Sequence, residues 1–390
     1  MNNHLLSKNV ESKVLFLHLL KKVNSHFGFR LWIFIFSAIT VLSSCNTKKL
    51  AKGKEKDVKP FVIYPSPPEQ ARVQYLTKLS TSADIGNSQS LFSKLILGPE
   101  KAKGIVKPYG IAIHKGKIYV CDQYGGGMEI IDLEKKDFIQ FRPKGKGTLR
   151  APINCFVDNK GFLYVADVGR LEIVVFDENG NFVKAFGEKE KFKPTDVFVY
   201  NDKIFVANPA SNKVNVFSKD SLNKLLYSFP DIAPGERGFL GVPANLTVGN
   251  ERVFVADFGH SMIERFTIDG KYIDSIGSAG DRPGQFSKLK GIAVDSEMNV
   301  FAVDAGYDHV QIFNKDGKLL LVIGGHYQEQ GPGGLIIPAK VMIDYDNLKY
   351  FQSYVDPAYD LKYLIFVTSQ YGPDLINVYG RVEPKVKPNK

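Results

Sequence analysis

The chain has 390 residues, of which 24% are charged and 12% are aromatic, and its formal net charge is +10. This length is sufficient for one large closed domain, and the composition is that of a globular protein with a bias toward β-structure. The basic excess does not indicate nucleic-acid binding, because no basic stripe interleaved with stacking aromatic residues occurs in the sequence.

Residues 1–44 have the pattern of a secretory signal peptide. A basic leader ends at Arg30, and the apolar run that follows at 31–41 is shorter than the roughly 20 residues of a membrane span. Leu42-Ser43-Ser44-Cys45 resembles a bacterial lipobox. The resemblance implies cleavage before Cys45, lipidation of that residue, and a protein anchored to a membrane of the bacterial cell envelope that faces the periplasm or the exterior. An uncleaved signal anchor is the alternative.

The next segments lead from this signal to the main domain. Residues 45–69 are predicted to form a flexible, Lys-rich tether that ends in a Pro-rich extended segment. Residues 72–79 alternate between apolar and polar side chains as a strand does, and residues 88–97 have the pattern of a short amphipathic helix.

One pattern then recurs six times. It consists of a Pro-x-Gly-like start, an apolar strand, a small turn and a second apolar strand such as Leu163-Tyr164-Val165-Ala166-Asp167. A repeat of roughly forty to fifty residues with strand-length apolar runs is typical of the blades of a β-propeller. The six starts are Pro108, Pro152, Pro194, Pro243, Leu289 and Pro338.

The second repeat shows the plan of a blade, with strands predicted at 153–157, 162–166, 172–176 and 182–186. Asn-Gly and Asp-Gly turns recur between the third and fourth strands, as antiparallel hairpins require. The sixth repeat lacks a fourth strand, and the strand at 72–79 is predicted to complete that blade from outside. The sequence therefore predicts an all-β, six-bladed propeller of four-stranded antiparallel blades over residues 70–384, followed by a basic tail at 385–390.

The run Lys290-Gly291-Ile292-Ala293-Val294-Asp295, followed by Val300-Phe301-Ala302-Val303-Asp304, resembles the NHL repeat. The resemblance implies a six-bladed propeller of the bacterial lipoprotein type. The NHL pattern often has an arginine shortly after the second-strand aspartate. This sequence does not keep it, so the family's ligand contacts are not transferred. The residues found at that place in the first five repeats are Gly127, Glu172, Lys213, Met262 and His309.

In a propeller, the loops between second and third strands and the loops between blades open on one face, which is the expected ligand surface. The recurring aspartates at the ends of the second strands are predicted mainly to accept backbone N–H bonds within these loops. The predicted binding-face residues are Tyr124, Arg170, Asn212, Lys213, Asp257, His260, Asp304, Tyr307, His309, His326 and Tyr371.

An alternative function uses three histidines of this face. If His260, His309 and His326 converge, they could hold Zn²⁺, or the face could hold Ca²⁺, in a metal-dependent lyase or hydrolase. No local histidine spacing supports such a site, and Gly-x-Ser-x-Gly, phosphate-loop and haem-attachment motifs are absent from the sequence. The main prediction is therefore a binding or scaffold module without a cofactor, with a protein, peptide or glycan partner. Cys121 and Cys155 are predicted to be either small core residues or a disulfide.

Overall fold

The computed structural model describes residues 61–86, 102–188, 190–220 and 223–385. Outside these residues lie the predicted signal peptide, the lipidation residue Cys45, the tether up to residue 60, the predicted helix at 88–97 and the tail from residue 386. Within the described ranges, no helix combines the length and apolar character needed to cross a membrane.

The described residues form six antiparallel sheets, which are the six predicted blades. Two strands precede the first blade: β1 (Ile63–Tyr64) and β2 (Val73–Lys78). Blade 1 comprises β3 (Pro108–His114), β4 (Lys117–Asp122), β5 (Gly127–Asp132) and β6 (Asp137–Phe141). Blade 2 comprises β7 (Pro152–Val157), β8 (Leu163–Asp167), β9 (Glu172–Phe176) and β10 (Phe182–Phe186). Blade 3 comprises β11 (Asp196–Tyr200), β12 (Lys203–Asn208), β13 (Lys213–Ser218) and β14 (Leu225–Phe229).

Blade 4 comprises β15 (Pro243–Gly249), β16 (Arg252–Asp257), β17 (Met262–Thr267) and β18 (Tyr272–Ile276). Blade 5 comprises β19 (Leu289–Val294), β20 (Val300–Asp304), β21 (His309–Phe313) and β22 (Leu319–Gly324). Blade 6 comprises β23 (Pro338–Asp344), β24 (Tyr359–Ser369) and β25 (Ile376–Pro384), together with β2 and β1. Short helical segments lie in the connections: α1 (Tyr327–Gln330) and 3₁₀ turns at Ser82–Ile85, Gly145–Gly147, Leu348–Tyr350 and Gln352–Tyr354.

The blade plan predicted from the second repeat is confirmed, with strand bounds that agree to within one residue. Asn-Gly and Asp-Gly turns join third and fourth strands in blades 2, 4 and 5, and their glycines Gly180, Gly270 and Gly317 have φ angles of 82°, 87° and 78°. Only glycine adopts this left-handed backbone without steric cost, which is why these dipeptides reverse the chain here.

The sixth blade is closed by the N-terminal strand, as predicted. β2 pairs antiparallel with β25, with Val73 opposite Arg381 and Tyr75 opposite Tyr379. The Pro-rich segment contributes one strand that the sequence pattern did not predict, since β1 pairs with β2 through Ile63 and Tyr64. The two ends of the propeller are thus hydrogen-bonded in a single sheet.

Six clusters of buried apolar side chains fill the spaces between neighbouring blades. Phe176 lies between blades 1 and 2, Phe266 between blades 3 and 4, and Tyr379 between blades 5 and 6. Each blade is therefore apolar on both faces, and a fully buried large side chain contributes about 1.5–3 kcal/mol through removal of its surface from water.

Both described cysteines are core residues. Cys121 and Cys155 are free thiols in the cluster between blades 1 and 2, and burial raises the pKa of Cys121 well above its usual value. Of the two interpretations offered by the sequence, the structure shows buried core thiols without a disulfide.

The first strands of the blades form the inner wall of the ring. Each of β3, β7, β11, β15, β19 and β23 contacts the next, and β23 contacts β3, so the ring is closed. Positions along these strands are counted from the six repeat starts. Blades 1, 2, 4, 5 and 6 have an irregular register just after the first position. Such bulges re-aim side chains and are frequent beside functional sites.

Candidate functional site

The loop face is held together by polar side chains at the ends of the second strands. Asp304 accepts N–H bonds from Ser287, Lys288 and Gly306 at 2.8–2.9 Å. Asp122, Asp167 and Asp257 make the same kind of bonds in their own blades, and Asn208 accepts the Lys193 N–H in blade 3. These side chains hold the backbone of the residue that precedes each inner strand. The prediction that the recurring aspartates accept backbone N–H bonds is therefore confirmed.

The residues in the third position of the inner strands close the centre of the ring. This layer is termed the hub, and all of its members are buried. Lys340 of blade 6 donates to Asp196 Oδ2 of blade 3 at 3.0 Å and to Asn245 Oδ1 of blade 4 at 2.8 Å. The hub comprises Gly110, Asn154, Asp196, Asn245, Gly291 and Lys340.

Glycine is required at two hub positions because neighbouring chains approach closely. A Cβ atom on Gly291 would lie 2.5 Å from Lys340 Cα, and one on Gly110 would lie 2.3 Å from Asn154 Oδ1. The missing side chain of Gly291 leaves the space through which the Lys340 side chain passes toward blades 3 and 4.

The second-position residues of the six inner strands form the layer next to the hub, termed here the central pit. Five of its six residues are half-buried, while Ala339 is fully buried. The pit is lined by Tyr109, Ile153, Thr195, Ala244, Lys290 and Ala339.

Lys290 and Tyr109 are the polar groups that distinguish this pit. The Lys290 ammonium donates to Gln370 Oε1 at 3.2 Å and lies 5.6 Å from the centre of the Tyr109 ring. Burial, together with the positive charges of Lys107 and Lys288, lowers the pKa of Lys290 to about 8. Burial, reinforced by the negative charge of Asp196, raises the pKa of Tyr109 to about 12.

The rim of the pit is formed by the residues that directly precede the first positions. Lysines occupy this place in blades 1, 3 and 5, whereas small or apolar residues occupy it in blades 2, 4 and 6. The rim comprises Lys107, Ala151, Lys193, Val242, Lys288 and Ile337. Lys107 Nζ lies 4.7 Å from the centre of the Tyr124 ring and 5.1 Å from that of Tyr371, a spacing typical of cation–π contacts.

Two of the residues predicted for the binding face therefore belong to the rim region. Tyr124 and Tyr371 are 69% and 47% exposed and border Lys107. Tyr307 is 42% exposed and stacks on His309 at 5.8 Å between ring centres. Asp257 and Asp304 are fully buried beneath the loops.

Three other predicted residues hold neighbouring loops in place. The Arg170 guanidinium pairs with Glu172 and donates to the carbonyls of Lys146 and Thr148, at the edge of a surface depression of about 460 Å³. Asn212 donates to the Gly241 carbonyl of the next blade. Lys213 forms an exposed ion pair with Asp231 at 3.6 Å.

The three candidate histidines each have contacts of their own on the loop face. His260 Nδ1 lies 2.7 Å from Asp257, and His326 Nδ1 lies 2.5 Å from Asp308. His309 stacks on Tyr307, and burial lowers its pKa. In the part of the chain that the structure describes, no group of three or more His, Cys, Asp or Glu side chains is placed to hold a metal ion.

The polar residues at the bottom of the pit were missed by sequence reasoning. Tyr109 and Lys290 lie inside predicted strands, and their contact joins blade 1 to blade 5. Aligning the six inner strands by their starts would have placed both at the same position. Loop residues were favoured instead, because loops carry most binding residues in propellers.

The fold has counterparts among solved structures, although no family model and no curated protein matches the chain. The gluconolactonase XC5397 from Xanthomonas campestris aligns over 84% of this chain and 98% of its own, at 16% identity and a TM-score of 0.53. Virginiamycin B lyase from Staphylococcus aureus aligns over 80% of this chain and 89% of its own, at 11% identity and a TM-score of 0.47. The likeness shows the fold alone. This chain is a six-bladed propeller similar to these enzymes in architecture.

Proposed function

We propose that this protein is a lipid-anchored binding module of the bacterial cell envelope. Its NHL-like propeller faces the periplasm or the exterior and holds a protein, peptide or glycan partner on the loop face. Cys45 carries the anchor, and the Lys-rich tether spaces the propeller from the membrane.

The central pit is the observation that carries this proposal. It combines a half-buried amine at Lys290 with exposed aromatic rings at Tyr124 and Tyr371. Concave sites with a few convergent polar groups and aromatic borders are typical of ligand recognition. The strand-end aspartates hold the rim backbone in place, so a ligand meets a largely preformed surface.

The competing hypothesis was a metal-dependent lyase or hydrolase. Two of the three histidines from which it was inferred, His260 and His326, contact aspartates through Nδ1, and likeness to a gluconolactonase at 16% identity does not transfer an activity. No specific feature of the loop face favours this second function over binding.

Site-specific photocrosslinking in the native membrane tests the binding function. A benzoyl-phenylalanine replaces Tyr371 beside the pit, and in a matched variant it replaces Lys318 in the hairpin turn of blade 5 on the opposite face. We expect a discrete crosslinked species from position 371 and none of the same mass from position 318. Equal yields from both positions, or adducts from position 318 alone, would refute a partner site on the loop face.

Metabolic labelling with a radioactive fatty acid tests the anchor. The Cys45→Ala variant should lose both the label and its membrane association, whereas the neighbouring Asn46→Ala variant should keep them. Retention of label and membrane association in Cys45→Ala would show that the chain is not anchored through this cysteine.

A further inference from the structure

The lysines around the central pit make no direct ion pair with a carboxylate of the described chain. Lys107 and Lys288 both contribute positive charge at Lys290, and no ion pair within 4.0 Å joins any of these three lysines to a described carboxylate. Asp308 is the acidic residue whose negative charge favours the protonated form of Lys290. Its oxygens are occupied by His326 Nδ1 at 2.5 Å and by the Ile337 N–H at 2.6 Å.

The other acidic groups nearby are already engaged. Asp122 and Asp304, which hold the backbone of the rim lysines, are fully buried and accept several N–H bonds each. The Asp196 charge in the hub is matched by Lys340 at 3.0 Å. The ammonium groups of Lys107, Lys288 and Lys290 therefore have no direct carboxylate partner among the described residues, which leaves them available for charge-assisted hydrogen bonds to an anionic ligand.

The donors of the pit also have a defined geometry. The Lys290 ammonium donates one N–H to Gln370, so two N–H groups remain for a ligand. The Lys107 ammonium lies beside the rings of Tyr124 and Tyr371.

We propose that the central pit binds one oxyanion group, a carboxylate or a phosphate, with Lys290 at its base and Lys107 and Lys288 at its rim. This inference rests on the proposed binding function insofar as the oxyanion is the group by which the partner is held. The tyrosines border the site and contact the part of the ligand that carries the charged group.

Acetylation of Lys290, followed by mass spectrometry, measures occupancy on the intact purified protein. An acetylating reagent attacks only neutral amines, so a lysine with a depressed pKa reacts early, and a bound anion slows it by favouring the charged form. Inorganic phosphate and malonate are the probes, and sodium chloride at equal ionic strength is the control. We expect saturable protection of Lys290 by several-fold, with no protection of the exposed Lys318.

The two probes distinguish the sources of the oxyanion. Protection by phosphate alone indicates a phosphate ligand, whereas protection by malonate indicates a carboxylate. A Lys107→Gln/Lys288→Gln variant keeps Lys290. It should lower the affinity of the protecting anion by about tenfold, because two positive charges near a partly buried site are lost. Circular dichroism shows whether this variant keeps the propeller fold.

Two results would overturn the inference: no protection of Lys290 beyond that given by sodium chloride, or equal affinity in the double variant. Because the probes are inorganic phosphate and malonate, this outcome is independent of the crosslinking result. Anion protection without a crosslinked partner would leave the pit as an oxyanion site and remove the proposed partner-binding function. A crosslinked partner without anion protection would support the partner-binding function and refute the oxyanion site.

Discussion

The Lys340 ammonium lies 3.0 Å from the Asp196 carboxylate, although the two residues belong to blades 6 and 3, on opposite sides of the ring. Both side chains are buried, with 8% and 2% of their side-chain surfaces exposed. Asn245 of blade 4 accepts a second bond from the same ammonium. A single lysine thus ties together three blades at the centre of the propeller.

We expect Lys340→Met to destabilise the protein by about 3–5 kcal/mol, because it leaves the Asp196 carboxylate buried without a counter-charge. The double variant Lys340→Met/Asp196→Leu should recover much of this loss, since no isolated charge remains. Urea unfolding measures both free energies. Lys362→Met, which removes an exposed pair with Glu383, is the control and should change little. A double variant as unstable as Lys340→Met would contradict this account.

The blades and their closure could be predicted from the sequence, because each depends on local patterns. The apolar period, the Asp-Gly turns and the missing fourth strand of repeat 6 together indicated six blades and a strand supplied by residues 72–79. The interior of each blade follows from alternation along short segments, which needs no knowledge of distant contacts.

The central pit could not be predicted in the same way. The Lys290–Tyr109 contact links the second positions of two distant repeats, and both residues lie where the strand register is irregular. The contacts of the candidate histidines were equally invisible in the sequence: His260 and His326 each bind a nearby aspartate. Membership of a face is visible in the repeat pattern, whereas the distance between two side chains on it is not.

Glu264 is predicted to make stability depend on pH. It is 3% exposed, and its Oε2 atom has no hydrogen-bond partner. Burial, together with the negative charge of Asp257, raises its pKa to about 7. Since the folded state binds this proton more tightly than the unfolded state, the ionised carboxylate costs stability above pH 7, and the cost fades as pH falls toward 4.5.

Glu264→Gln should therefore be more stable than the wild type at pH 8, by on the order of 2 kcal/mol, and equal to it near pH 4.5. Urea unfolding over this range gives the difference. Glu329→Gln, at an exposed position, should show no such trend. A gain that is constant across pH would assign the effect to packing and not to charge.

Lys290 is predicted to have the opposite pH dependence. Its pKa is lowered from 10.5 to about 8, so the folded state releases this proton more readily than the unfolded state does. The charged amine therefore costs stability below pH 8, and the cost fades as pH rises toward 10.5. Lys290→Met should raise the free energy of unfolding at pH 7, and the gain should shrink between pH 8 and pH 10. The exposed Lys318→Met variant supplies the baseline, and a gain that grows with pH would refute the assignment.

Ring closure by β2 is tested through Leu76, which is 8% exposed and packs in the cluster between blades 6 and 1. Leu76→Ala should cost about 2–5 kcal/mol, the range for a buried leucine whose removal leaves a cavity. Leu226→Ala is the matched control, because Leu226 also lies in an outer strand, β14, but is 49% exposed. It should change the free energy of unfolding by about 0.5 kcal/mol or less.

The reason for this contrast is that β2 pairs the N-terminal part of the described chain with β25, the last strand of the propeller. A cavity beside it weakens both the pairing with β25 and the packing against blade 1, so protease cleavage of the ring should accelerate together with the loss of stability. If Leu76→Ala and Leu226→Ala unfolded at the same urea concentration, β2 would be an accessory edge strand, and the ring would be held by the inner wall and the hub alone.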